Sequence, residues 1–205
     1  MKKALCALAA LSCCSAVVAN HTHQQAQHGI TPFVGIAAGY NSTDYAETRT
    51  TTGLKSRYGG DGWLFGGHVG AVFYKHDHFS LAANVSAYAV DSKHATSGRS
   101  SGDRTNKLSA FYAIELKPGY SFGDATLFLN MGYAKSRYQF KLEDSYDQKF
   151  TISGSIVGVG AKMPVTDRLS AAVAIDYIFS GHKTVDIYQT KPKGLFGLVG
   201  VDYSF

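Results

Sequence analysis

Cysteine is confined to one end of this chain: Cys6, Cys13 and Cys14 are its only three among 205 residues. Beyond residue 14 there is no thiol to form a disulfide or a thiolate metal site, so the folded part must be held by noncovalent packing. Proline is scarce, with 4, and tryptophan occurs once. The apolar run near the N-terminus falls short of the roughly 20 residues that a helix needs to cross a bilayer. Charge is nearly balanced, since 20 Lys and Arg, two of them at positions 2 and 3, face 15 Asp and Glu. So small an excess does not argue for nucleic acid. Abundance lies elsewhere, in 22 Gly, 13 Tyr and 12 Phe, the composition of many aromatic-flanked strands.

Lys2 and Lys3 precede the apolar run Ala4 to Val18, and Val17-Val18-Ala19 stands before Asn20. This pattern predicts a secretory signal peptide over residues 1–19. Cys13 follows Ala10-Leu11-Ser12, a poor match to lipoprotein processing. A polar leader, residues 20–29, carries His21, His23 and His28; flexible His-x-His leaders mostly bind nothing specific, so no metal and no cofactor is expected. Residues 30–205 form the one predicted domain.

Within that domain period 2 recurs and no helical period does. Eight strands are predicted, at about Thr31–Tyr40, Gly62–Tyr74, Phe79–Val90, Lys107–Tyr120, Ala125–Arg137, Phe150–Met163, Arg168–Phe179 and Gly194 to the end. In the fourth, for example, Leu108, Ala110, Tyr112, Ile114, Leu116 and Tyr120 alternate against Ser109, Glu115, Lys117 and Gly119. Connections alternate in length: short turns at 75–78, 121–124 and 164–167, and long polar segments at 41–61, 91–106, 138–149 and 180–193. Short turns at one end and long loops at the other are the layout of an all-β, eight-stranded antiparallel up-and-down transmembrane barrel.

Alternation alone does not say which face meets lipid; residue size does. The polar face consists mainly of Gly, Ser, Ala and Asn, which suits a narrow lumen, whereas a water-soluble barrel would carry Lys and Glu on its outer wall. Tyr40, Trp63, Phe73, Phe79, Tyr120, Tyr133, Tyr177, Tyr203 and Phe205 gather toward strand ends, as expected for two membrane girdles. The ending Gly197–Phe205 alternates strictly and closes on an aromatic residue, the usual last strand of a bacterial outer-membrane barrel. The expected location is therefore the outer membrane.

Phe33-Val34-Gly35-Ile36-Ala37-Ala38-Gly39-Tyr40, the segment Gly158 to Leu169 around the last turn, and Gly200-Val201-Asp202-Tyr203-Ser204-Phe205 resemble the small eight-stranded outer-membrane barrels. These include the transmembrane domain of outer-membrane protein A, the opacity proteins and the attachment-invasion class. The resemblance implies a monomer assembled by the barrel-assembly machinery through its C-terminal strand. It also implies a lumen plugged or gated by ion pairs, with Lys117 at a position similar to a lumen lysine of outer-membrane protein A. Strand 8 ends this chain, so a periplasmic peptidoglycan-binding domain is not expected.

Six ionisable residues face inward by this reading: His68, Glu115, Lys117, Lys162, Asp176 and Asp202. Buried charges must pair, so they are expected to form a lumen ionic network. The long loops carry Arg49, Lys55, Arg57, Lys93, Arg99, Arg104, Arg137, Lys141, Lys149, Lys183, Lys191 and Lys193, with acidic residues interspersed. Such cations match the phosphates of lipopolysaccharide or a sulfated host ligand. The expected role is structural or surface-interactive, adhesin- or opacity-like, in contact with outer-membrane lipids, lipopolysaccharide and an external partner. An alternative is a lipid A deacylase or acyltransferase, for which His78-Phe79-Ser80, or His94 and Ser97 with Asp91 and Asp103, supply the residue types. Nothing in either set fixes a base and its orienter, so no catalytic residue is assigned. A narrow ion-conducting pore is the remaining alternative.

Overall fold

Alternating bulky and small residues with β-branched and aromatic enrichment favour pleated strands over helix, and the computed structural model of the chain is all β. It describes residues 29–49, 53, 55–96, 104–142, 146–181, 183–185 and 188–205. Strands β1 (Thr31–Arg49), β2 (Lys55–His76), β3 (Phe79–Thr96), β4 (Arg104–Phe122), β5 (Ala125–Leu142), β6 (Tyr146–Pro164) and β7 (Leu169–Ser180) follow one another; β8 (Lys183–Val185) is a short hairpin arm, and β9 (Tyr188–Ser204) returns. Each pairs antiparallel with its neighbour, and β1 pairs with β9 from Phe33↔Ser204 to Arg49↔Tyr188, closing an eight-stranded barrel.

The tight ends form where local chemistry permits reversal. Asp77 (φ 49°) turns β2 into β3, and Gly123 (φ 59°) turns β4 into β5; Asp and Gly adopt this left-handed conformation most readily. Between β6 and β7, Thr166 Oγ1 accepts the backbone N–H of Leu169 at 3.0 Å. In an outer-membrane barrel short turns such as these three mark the periplasmic end.

At the other end the strands run much further than the sequence suggests. Segments 41–61, 91–106, 138–149 and 180–193 were expected as loops, but most of their described residues continue the ladders, for instance Asp44↔Gly59 and Tyr138↔Phe150. Water replaces lipid there, so the outward positions no longer need to be apolar and the periodic signal fades while the backbone hydrogen bonds persist. Arg49, Lys55, Arg57, Lys93, Arg104, Arg137, Lys141, Lys149, Lys183, Lys191 and Lys193 therefore stand on strands, not loops; Arg99 lies outside the described residues. The signal peptide and leader, with His21, His23 and His28, also lie outside them.

Outward side chains are the oily ones. Trp63 is 71% exposed, Phe65 62%, Val159 56% and Val201 46%, a surface tolerable only against hydrocarbon. Phe73, Phe79, Tyr120 and Phe205 are exposed near the short-turn ends of their strands; Tyr40 and Tyr133, expected at strand ends, are exposed at mid-strand because β1 and β5 run on past them, and Tyr177 and Tyr203 are half-buried. One assignment is corrected. Leu108, expected on the lipid face, is fully buried inside, because the β4–β5 register shifts between Leu108 and Ala110 and a bulge there reverses which face the strand presents.

The lumen is also less slender than its Gly and Ser content implies. Its outer half holds an apolar cluster of Leu64, Tyr88, Val90, Leu108, Phe111, Ile152, Ile156, Ile178 and Phe196, beside buried Asn41, Thr43, Ser92, Ser136 and Ser180. Rings of Tyr88, Phe111 and Phe196 stack at centroid distances of 5.9 and 5.3 Å. Glycines make room for such rings: a Cβ on Gly66 would lie 2.7 Å from Tyr88 Cδ1.

Candidate functional site

Beneath the stacked rings a cavity of about 110 Å³ occupies the periplasmic half of the lumen, and His68, Glu115, Lys117, Lys162, Asp176 and Asp202 all line it. Strand register explains why they meet. His68 on β2 and Asp202 on β9 both sit opposite Gly35 of the intervening β1. With no side chain between them, the imidazole Nε2 and carboxylate Oδ1 approach to 2.8 Å. A Cβ on Gly35 would be 2.4 Å from both atoms. Lys162 reaches the other oxygen of Asp202 at 3.0 Å and sits 5.2 Å from the Phe33 ring centroid.

The same device recurs across β5, β6 and β7, where Asn130 and Asp176 flank Gly158 and Asn130 Nδ2 donates to Asp176 at 2.7 Å. Glu115, opposite Asn84 in the β3–β4 ladder, accepts from Asn84 Nδ2 at 3.0 Å. Lys117 Nζ lies 5.3 Å from the Phe128 ring centroid. The six residues thus divide. His68, Asp202 and Lys162 form one ion-paired cluster, while Glu115 and Asp176 are held by amides. Sequence reading missed Asn84 and Asn130, although their inward parity, on the strand beside Glu115 and two strands from Asp176, was the available signal.

At the outer rim the side chains of Arg49, Lys55, Arg57, Lys93, Arg104, Lys141 and Lys183 fall outside the described residues. Lys135, absent from the sequence-based set, joins Arg137 and Lys149 on the outward face of β5 and β6, and all three are exposed. No salt bridge joins any of them to another described residue, whereas Lys107 is paired with Asp91 at 3.2 Å. Lys193 neighbours Asp44 in the ladder, and Lys191 is half-buried. Of the residues weighed for catalysis, His78 and Ser80 lie at the periplasmic end, where His78 packs on Tyr120. Ser97, Asp103 and the side chain of His94 lie outside the described residues.

The family model for the outer membrane protein beta-barrel domain matches residues 6–205. The chain belongs to that family. This outer-membrane β-barrel protein is accordingly located in the bacterial outer membrane. Among solved structures it resembles the outer-membrane protein OprG of Pseudomonas aeruginosa, with 14% identity, TM-score 0.53, and coverage of 85% of this chain and 96% of that one. The outer membrane protease OmpT of Escherichia coli gives 12% identity, TM-score 0.53, and 90% and 99% coverage. Ail of Yersinia pestis, solved in complex with the heparin analogue sucrose octasulfate, gives 11% identity, TM-score 0.45, and 89% and 100% coverage. No curated protein matches the chain. At such identities the likeness is one of fold.

Proposed function

We propose that this barrel is a monomeric surface-interaction protein whose cationic rim holds the phosphates of lipopolysaccharide, while its lumen serves as a structural plug. The observation that carries this reading is the position of Lys135, Arg137 and Lys149 relative to the membrane. On β5 the successive outward residues are Tyr133, Lys135 and Arg137, so at about 3.4 Å per residue the two cations stand roughly 7 and 14 Å along the strand beyond the Tyr133 ring. Phosphates at the outer-leaflet headgroup level meet cations there that have no salt-bridge partner among the described residues. The stacked rings of Tyr88, Phe111 and Phe196 support a lumen that does not conduct. We further read residues 1–19 as removed on export, and the strand ending at Phe205 as the element that the barrel-assembly machinery engages. An external ligand rich in phosphate or sulfate would use the same rim.

Replacing Lys135, Arg137 and Lys149 together by Gln tests the reading. Three exposed charge contacts at about 0.5 kcal/mol each predict roughly tenfold weaker binding of purified lipopolysaccharide at physiological salt. Unchanged binding by the triple variant would refute it.

A further inference from the structure

Beyond the membrane the described residues leave the barrel wall open between β6 and β8. Pairing of β6 with β7 ends at Gly154↔Ser180, and one further bond joins Gly181 N–H to Ser153 C=O at 2.9 Å. From there outward β7 gives way to β8, whose described residues pair only with β9. Strand β6 nevertheless continues to Tyr146 with β5 as its only ladder partner among the described residues. Among the described residues the outer wall is thus slit, with β6 as one lip and β8 as the other.

Strand geometry fixes which groups face the slit. In an antiparallel ladder the N–H and C=O of one residue point the same way and alternate along the strand. Because Ser153 C=O points toward β7, the N–H and C=O of Thr151, Lys149 and Asp147 point into the slit, while those of Ile152 and Phe150 bond to β5. Three consecutive docking positions are therefore presented as an open edge, a template for an added strand.

The two faces of this edge differ in chemistry. Outward stand exposed Lys149 and Thr151, with Lys135 and Arg137 on the adjoining β5. Inward stand buried Ile152 and half-buried Phe150, the latter stacked on Tyr138 at 5.7 Å. A strand added here would alternate in the same way, placing one set of side chains beside the cations and the other beside the rings.

We propose that the β6 edge from Asp147 to Thr151 captures an extended polypeptide of alternating acidic and apolar residues by antiparallel strand addition. This rests on the ladder and not on the lipopolysaccharide reading. A partner strand would donate to the carbonyls of Thr151 and Lys149 and accept their N–H groups, with its acidic side chains over Lys149 and Arg137.

The probe is the capped heptapeptide Glu-Val-Glu-Val-Glu-Val-Glu, added to the full barrel in nanodiscs and followed by amide hydrogen exchange. Without peptide, the amides of Thr151, Lys149 and Asp147 should exchange much faster than those of Ile152 and Phe150; with peptide they should slow by about tenfold or more. Thr151→Pro removes one slit-facing N–H without touching the β5 ladder and should weaken binding roughly tenfold. Lys149→Pro compared with Lys149→Gln separates the backbone from the charge, and heat-modifiable gel mobility verifies that each variant is folded. Slow exchange at the three positions before any peptide is added would overturn the proposal. So would equal binding of a backbone N-methylated peptide, equal binding of the Lys-Val counterpart, or protection by lipopolysaccharide alone.

Discussion

Removing the Asp202 carboxylate should destabilise the barrel from inside its lumen. Asp202 is 6% exposed and accepts from Lys162 at 3.0 Å and from His68 at 2.8 Å. Asp202→Ala removes both contacts and leaves the Lys162 ammonium without its ion-pair partner. Breaking a fully buried pair from one side costs about 3–5 kcal/mol. Lys162, however, retains 26% side-chain exposure, so water at the periplasmic mouth recovers part of that. We expect a loss of about 3 kcal/mol, more than a hundredfold in the folding equilibrium constant. Reversible urea unfolding in lipid vesicles, followed by Trp63 fluorescence, would measure it. The decisive control is Lys162→Met, since removing the stranded cation as well should return on the order of 1–2 kcal/mol. If Asp202→Ala costs under about 1 kcal/mol, or the two substitutions add independently, the cluster does not hold the lumen as argued.

Two further outcomes follow from the same structure. Cutting away the outer barrier with Tyr88→Ala and Phe111→Ala, whose rings stack at 5.9 Å, should turn a silent barrel into one with discrete conductance steps in planar bilayers; if the parent conducts equally well, the aromatic stack is not the seal. On the outer wall, Val159→Arg at mid-height of β6, where the side chain is 56% exposed, should cost about 2–4 kcal/mol in vesicles. Thr151→Arg, beyond the membrane on the same strand, should cost less than about 1 kcal/mol, and equal costs would mean that the hydrocarbon band is misplaced.

Much of the architecture was legible in the chain because lipid imposes a rule on every second residue. Runs such as Val157, Val159, Ala161 and Met163 announce strands that face hydrocarbon, and the spacing of Asp77, Gly123 and Thr166 marks their reversals. That rule stops where lipid stops. The outer parts of β1, β2, β5 and β6, which face water, carry no such alternation and read as loops. Bulges escaped notice for a related reason: Leu108 has a side chain suited to either face, and only the pairing of β4 with β5 shows which one it takes.

The site divides along the same line. Inward parity identified His68, Glu115, Lys117, Lys162, Asp176 and Asp202 as lumen residues, because a charged side chain on a lipid-facing position would be too costly. Which of them touch was settled by register alone, since ladder pairing, not chain distance, brings residues 134 positions apart into contact. Gly35 between His68 and Asp202, and Gly158 between Asn130 and Asp176, look in the sequence like any other strand glycine; their meaning appears only when three strands lie side by side. Alternation along one strand is a property of local sequence and solvent, whereas adjacency across strands belongs to the closed barrel.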